Sequence, residues 1–178
     1  TIETLLGHMT GRDLKEFFPR VPHTCGAPLL ELSALAGERL PRDASLVLRR
    51  GEVFGIAGLI GAGRTEFLRV LFGLEPIVRG EVRLAGAVLP PGGPRARLRQ
   101  GVGLLSENRK EEGLALARTV AENLTLSRLE PFLHCGRLDA AARDRATQGW
   151  LERLRIRARG PDQSIGELSG GNQQKIAL

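Results

Sequence analysis

Short apolar runs, several of them alternating with polar positions and bounded by Gly, Pro or Asp, recur after about residue 28 of the chain. This pattern is typical of β-strands. The predicted strands are Leu29–Leu35, Ala44–Leu48, Glu52–Ala57, Glu81–Leu84, Ala87–Leu89 and Gly101–Leu105. Ala85-Gly86 predicts a tight hairpin turn between the fourth and fifth strands, whereas the proline-rich run from Pro90 to Pro94 excludes regular structure there.

Apolar residues at helical spacing predict helices in two parts of the chain. Thr65–Phe72 is the first such segment. After Thr119 the pattern is helical again, first through Leu129 and then from Leu138 to about Leu154, and a last helix is expected to begin near Gly171. Trp150 falls in the longest of these helices and is predicted to pack in the core.

The first 28 residues are broken by Gly and Pro and contain no long periodic element, which is typical of a linker. A chain of 178 residues suits one domain, or one domain with a segment of another. The strands followed by helices predict an α/β fold.

Composition excludes several classes of protein. No apolar stretch approaches the roughly 18 residues of a membrane span, and the N-terminus has no signal-peptide pattern. Cys25 and Cys135 suit neither a disulfide framework nor a metal site, so a soluble, cytosolic segment with free thiols is expected. The net charge of +6 comes from scattered arginines without a basic stripe, so no nucleic-acid partner is expected.

A glycine-rich turn, residues 58–65, connects the third predicted strand to the first helix, and we name it the glycine loop. Without Cβ atoms at Gly58, Gly61 and Gly63, several backbone N–H groups can converge on a phosphate at the helix N-terminus. The alternative is a turn that only packs the strand against the helix.

The glycine loop departs from the standard phosphate loop at one position. That motif has a lysine for the phosphates, followed by a Ser or Thr that binds Mg²⁺. Here Thr65 is present, but Arg64 stands in place of the lysine. A guanidinium pairs with phosphate oxygens but does not fit the small pocket that lysine fills, so weak or non-productive nucleotide binding is expected in this loop.

A second glycine motif follows about a hundred residues later, Leu168-Ser-Gly-Gly-Asn-Gln-Gln-Lys175, which we name the signature segment. Two phosphate-facing motifs in this order are more specific than either alone. Four stretches, Gly58–Glu66, Ser106–Lys110 with Gly113-Leu114, Val120–Leu124 and Ile165–Lys175, together resemble the ATPase subunits of ABC-type importers of simple sugars. Those subunits contain two fused nucleotide-binding halves, and the chain resembles the second half.

The resemblance extends over residues 29–178, and Thr1–Arg20 is similar to the tether that joins the two halves. It implies a linker over residues 1–28, followed by an ABC-type nucleotide-binding domain of the P-loop NTPase class that is truncated after the signature segment. An antiparallel β subdomain and a helical lobe over about residues 107–170 would belong to this domain.

In this family two halves sandwich ATP, so each site combines the glycine loop of one half with the signature segment of the other. Ser169, Gly170 and Gly171 would therefore complete the ATP site on the first half's loop. The implied nucleotide-binding residues are Gly58, Gly61, Ala62, Gly63, Arg64, Thr65, Glu66, Glu107, Ser169, Gly170, Gly171 and Gln173. Thr65 and Glu107 are the implied Mg²⁺ ligands, with Glu107 standing where most ABC domains carry glutamine.

The resemblance also implies a peripheral protein at the cytoplasmic face of the cell membrane. Its partners would be the first nucleotide-binding half, the permease subunits in the membrane and, indirectly, a sugar-binding protein outside it. The parent protein would hydrolyse ATP to drive import. This chain alone is expected to be inactive and to hold no catalytic residue, because the acidic strand motif and the switch histidine normally follow the signature segment, and His8, His23 and His134 all precede it.

Two other functions remain open from the sequence. Arg64 and Glu107 also suit a non-catalytic regulatory module that docks to membrane subunits without turning over nucleotide. The net charge alone would suit a soluble ABC ATPase that acts on nucleic acid, for which a steeply salt-dependent affinity is the requirement.

Overall fold

The computed structural model describes residues 24–178, so the predicted linker, with His8 and His23, lies almost wholly outside the described residues. The described residues form two compact units, 24–92 and 93–178. Each unit has an apolar core of its own. No helix among the described residues has both the length and the apolar character that crossing a membrane requires.

The first unit contains a four-stranded antiparallel sheet. Its strands are β1 (Pro28–Ala36), β2 (Ala44–Arg49), β3 (Arg79–Leu84) and β4 (Ala87–Val88), in the order β2-β1-β3-β4. Leu32 of β1 lies opposite Leu46 on one side and Val82 on the other. Ala85 and Gly86 have φ values of 50° and 82°, the left-handed geometry of a two-residue hairpin turn, so the predicted hairpin is confirmed.

The strand predictions for Glu52–Ala57 and Gly101–Leu105 are wrong. Neither segment joins a sheet among the described residues. A strand needs a hydrogen-bonded neighbour, and an apolar sequence does not by itself supply one. Without a neighbour the first segment leaves Val53 91% exposed and Phe54 47% exposed.

Helix α1 (Arg64–Phe72) confirms the helix predicted over Thr65–Phe72, and it packs on the sheet. Phe67 and Val70 form its buried face, and Gly73 ends the helix with a φ of 82°. The buried residues of this core are Leu32, Leu35, Phe67, Val70 and Val82. The core fixes the start of α1, and with it the glycine loop, on the sheet.

The second unit is mainly helical. Its elements are α2 (Pro94–Arg99), a π-helical turn (Arg109–Gly113), α3 (Val120–Thr125), a 3₁₀ turn (Glu130–Phe132), the hairpin β5 (Leu133–His134) and β6 (Arg137–Leu138), α4 (Ala140–Arg153), a second 3₁₀ turn (Ile165–Glu167) and α5 (Gly170–Ala177). The helices predicted after Thr119 are confirmed, except that the first one ends at Thr125 and not near Leu129. The prolines do not exclude regular structure at Pro94, because a proline at the first helical position lacks only an N–H that the helix does not use.

Local capping fixes where the helices of this unit begin. Thr119 and Glu122 form a capping box at α3, in which each side chain accepts a hydrogen bond from the other residue's backbone N–H. The Thr119 N–H holds the pKa of the Glu122 carboxyl below its ordinary value. Asp139 caps α4 by accepting from the Ala142 N–H at 2.9 Å.

The core of the second unit lies beneath the signature segment. Its buried residues are Leu114, Val120, Leu151, Ile156, Ile165, Leu168 and Ile176. The prediction that Trp150 packs in this core is wrong, because Thr147 and Leu151 form the buried face of α4. Trp150 is 44% exposed, and the Arg153 guanidinium lies 5.2 Å from its ring centroid. Both cysteines are exposed free thiols, as expected.

Candidate functional site

The glycine loop turns the chain sharply ahead of α1. Gly61 and Gly63 have φ values of 81° and 82°, in the left-handed region that glycine enters without steric cost. The Ala62 N–H donates to the Leu59 carbonyl at 3.1 Å and closes the turn. Leu59 is 86% exposed and Ile60 is fully exposed, so the tip of the loop is open to solvent.

Close packing explains two of the three glycines. A Cβ at Gly58 would lie 2.9 Å from the Ala62 Cβ, and one at Gly63 would lie 2.8 Å from the Leu40 Cδ1. A Cβ at Gly61 would meet nothing within 4 Å, so that position requires glycine only for its φ. The backbone conformation and close packing of the loop therefore require glycine at these three positions.

The N-terminus of α1 is open to an anion. Gly63 is its N-cap, and no side chain caps the first turn. Arg64 and Thr65 are exposed, and neither side chain has a hydrogen-bond or ion-pair partner among the described residues. Glu66 is half-buried in the same turn. Backbone N–H groups, a helix N-terminus, a guanidinium and a hydroxyl thus lie together, which fits a phosphate group and a metal-bound oxygen.

The signature segment forms a second open helix start. Ser169 is the N-cap of α5 and is exposed, and its Oγ caps no backbone N–H. That Oγ accepts a hydrogen bond from Asn172 Nδ2 at 3.1 Å. Gly170 and Gly171 are also exposed. The first N–H groups of α5 therefore face solvent beside an oriented hydroxyl, an arrangement that can bind an anion.

Polar residues of α5 hold the preceding chain in place. The Asn172 side chain accepts from the Arg157 N–H at 3.1 Å and donates to the Arg157 carbonyl at 3.4 Å. Lys175 Nζ donates to the Arg155 carbonyl at 2.8 Å. Sequence reasoning identified this Asn-Gln-Gln-Lys run without assigning these roles, which involve residues 15 and 20 positions earlier in the chain.

Gln173 has a different role from the one predicted. Its side chain is only 7% exposed, and Nε2 donates to the Ile165 and Leu168 carbonyls, each at 3.2 Å. Its Oε1 is buried without a partner among the described residues. The prediction that Gln173 contacts the cofactor is therefore corrected, because the amide faces the interior and holds the turn before Ser169.

Glu107 lies in the second unit, so it is not in the same unit as Thr65. It is exposed, with no hydrogen-bond or ion-pair partner among the described residues. Asn108 follows it and caps the π-helical turn by accepting from the Glu111 N–H at 3.3 Å. Within residues 24–178, no group of three or more His, Cys, Asp or Glu residues is placed to hold a metal ion.

Arg109 is a residue of this region that sequence reasoning did not single out. Its guanidinium lies at the first turn of α5, where Nη2 is 2.8 Å from the position that a Cβ on Gly170 would occupy. The only sequence signal was its place in the Ser106–Lys110 stretch, which carried the family resemblance.

Both segments lie within the part of the chain that matches a known protein family. The profile of the family described as ABC transporter matches residues 41–178. The chain belongs to the ABC transporter family. One curated relative is the ribose import ATP-binding protein RbsA 2 of Rubrobacter xylanophilus, 45% identical over 176 residues that cover 99% of this chain and 34% of the relative. Another is RbsA of Pseudomonas putida, 43% identical over 178 residues, 100% of this chain and 35% of the relative.

The chain thus spans about a third of the length of the curated relatives it matches. Among solved structures, the ATP-binding cassette MJ1267 in its ADP conformation has a TM-score of 0.65 at 18% identity, over 85% of this chain and 63% of that chain. A nucleotide-free ATP-binding cassette has a TM-score of 0.66 at 19% identity, over 85% and 65%. These likenesses confirm the predicted ABC-type fold with its antiparallel sheet.

Proposed function

We propose that the chain is the second nucleotide-binding half of the ATPase subunit of a bacterial ABC-type importer of simple sugars. Family membership supports its ATP-binding character. Eight curated relatives named as ribose import ATP-binding proteins, 37–45% identical over at least 99% of this chain, support the sugar-importer assignment.

The observation that carries the proposal is the open start of α5. Ser169 Oγ, oriented by Asn172, and the N–H groups of Gly170 and Gly171 face solvent. Within its own unit this surface meets no phosphate-binding loop. Facing the glycine loop of the first half, it would place a hydroxyl, backbone donors and a helix N-terminus against the terminal phosphate of ATP.

The chain's own glycine loop forms the weaker of the two sites in this proposal. Arg64 supplies charge without the compact ammonium of the standard motif, and Thr65 offers its hydroxyl to phosphate-bound Mg²⁺. The other predicted metal ligand, Glu107, belongs to the second unit, and its role stays a prediction from the family resemblance. Two unequal sites follow, with hydrolysis concentrated at the site that the signature segment completes.

The remaining partners follow from the same assignment. The complete subunit would bind permease subunits at the cytoplasmic face of the membrane and hydrolyse ATP to drive import, while a sugar-binding protein would act through the permease. The chain by itself would not turn over ATP, since both open helix starts lie at the surface of their own units and need an opposing half.

Ser169→Ala in the full-length protein tests the proposal. Loss of the hydroxyl should lower the kcat for transport-coupled ATP hydrolysis at least about tenfold, or 1.4 kcal/mol of transition-state stabilisation. Ser127→Ala is the matched control, because Ser127 is an exposed serine of the same unit with no partner among the described residues. Equal rates for the two variants would show that Ser169 does not complete an ATP site.

A second candidate is a regulatory nucleotide-binding module that docks without turnover, which the exposed Arg64 and Glu107 favour. It predicts that the full-length protein binds a fluorescent ATP analogue at the glycine loop, and that Ser169→Ala leaves hydrolysis unchanged. The same pair of serine variants therefore separates the two functions.

A further inference from the structure

Arg109 connects two parts of the second unit that are far apart in sequence. It opens the π-helical turn Arg109–Gly113. Its guanidinium occupies the space beside Gly170, and its Nη1 lies 3.5 Å from the Gln174 Oε1, 65 residues away.

Shape, more than charge, holds Arg109 in this position. It has no carboxylate partner among the described residues, and its Nε is buried without a hydrogen-bond acceptor. The contact with Gln174 is at the limit of hydrogen-bond length. A cation is not favoured at a helix N-terminus either. The guanidinium is accommodated because Gly170 has no Cβ.

The segment that contains Arg109 is internally braced. Ser106 Oγ donates to Glu112 Oε2 at 2.6 Å, and Asn108 Nδ2 donates to Glu111 Oε2 at 2.7 Å. The Glu112 N–H also donates to the Asn108 carbonyl at 2.9 Å. These hydrogen bonds tie together the segment 106–113, from which the Arg109 side chain projects and on which Glu107 is exposed.

We propose that Arg109 is a positioning residue that interlocks residues 106–113 with the start of α5. Resting on the proposed function, in which Ser169 contacts ATP held by the first half, the interlock makes the Glu107 segment and the signature segment shift together. A structural change at either segment would then reach the other through the fit of the guanidinium against Gly170.

Two neighbouring glycines allow a matched test on the full-length protein without nucleotide. A Cβ at Gly170 meets Arg109 Nη2 at 2.8 Å, whereas a Cβ at Gly171 meets nothing within 4 Å. By hydrogen–deuterium exchange, Gly170→Ala should raise exchange in residues 106–113 at least about threefold, and Gly171→Ala should leave it unchanged. Equal exchange in the two variants would overturn the interlock.

Arg109 variants test the role in turnover. Arg109→Ala should raise the KM for ATP at the signature-completed site. Gly170→Ala should raise that KM by a smaller factor in the Arg109→Ala variant than in the wild-type protein. Arg109→Lys should behave like Arg109→Ala, because lysine keeps the charge but lacks the planar group. Two results would show that the fit of the guanidinium against Gly170 does not matter: a wild-type KM in Arg109→Lys, or effects of Arg109→Ala and Gly170→Ala on the KM that are strictly additive in free energy.

The Arg109 interlock and the proposed function can be rejected independently of each other. The exchange measurement needs no nucleotide, so its failure counts against the Arg109 contact alone. Unchanged hydrolysis in Ser169→Ala, combined with the expected exchange in Gly170→Ala, would leave the interlock standing and reject the ATP site.

Discussion

Replacement of Gln173 by alanine probes the interior support of the signature segment. The Gln173 amide donates two hydrogen bonds of 3.2 Å, to the Ile165 and Leu168 carbonyls, from a nearly buried position. Gln173→Ala removes both donors and leaves a small cavity below the turn that leads into Ser169. The second unit should become less stable, and its signature segment less ordered.

The magnitude follows from the groups involved. Each hydrogen bond contributes about 0.5–1.5 kcal/mol net. The Ile165 carbonyl keeps a second donor, the Leu168 N–H at 3.1 Å, so its loss is the smaller one. Removal of the buried, unpartnered Gln173 Oε1 stabilises the folded state and offsets part of this loss, whereas the cavity that the substitution leaves destabilises it further. The expected net loss is about 2 kcal/mol of unfolding free energy.

Urea and thermal unfolding followed by circular dichroism measure this loss, with a midpoint shift of about 4–8 °C per kcal/mol for a unit of this size. Gln174→Ala is the control, because Gln174 is exposed and its side chain makes only the 3.5 Å contact with Arg109 among the described residues. Its change in unfolding free energy should stay within about 0.5 kcal/mol. If both variants changed stability equally, Gln173 would not brace the turn. Gln173→Glu should be worse at neutral pH and recover on acidification, because protonation restores a donor.

Three other predictions concern the glycine loop and α3. Substitution by alanine should lower the unfolding free energy by at most about 0.5 kcal/mol at Gly55, about 1 kcal/mol at Gly61 and about 2 kcal/mol at Gly63. Only Gly61 and Gly63 of these have positive φ, and only at Gly63 would an added Cβ lie too close to another residue. Equal urea midpoints for the three variants would refute this order. Arg64→Lys should tighten binding of a fluorescent ATP analogue at this loop about tenfold, and unchanged affinity in titration would show that the guanidinium is not the defect. The lowered pKa of Glu122 contributes stability that is present above the unfolded-state pKa and is lost as pH falls through the folded-state pKa. Glu122→Gln should keep the capping box yet lose that part of the pH dependence, which melting between pH 6 and pH 3 would detect.

Local rules predicted much of the fold and the two glycine motifs. The hairpin at Ala85-Gly86 and the left-handed turns of the glycine loop follow from glycine's conformational freedom, which depends on adjacent residues only. The start of α3 was predicted from the spacing of apolar residues after Thr119, and the Thr119–Glu122 capping box is the local interaction that fixes it.

Contacts between distant residues were not predictable in this way. Residues 52–57 have a strand's composition, but whether they pair depends on a neighbour elsewhere in the chain. Arg109 reaches α5 across 65 residues, and the burial of Gln173 depends on the turn at residues 165–168. Trp150 was misplaced because it is adjacent to the buried Leu151, and one residue, about 100° around α4, exchanges core for surface.

Trp150 also gives the protein a natural optical label. It is the only tryptophan in the sequence, so ultraviolet-excited emission reports from a single indole on the outward face of α4. Iodide, attracted by the neighbouring Arg153 charge, should quench that emission more strongly than caesium does. Any subunit that covers this face would move the emission to shorter wavelength, so assembly can be followed without a dye.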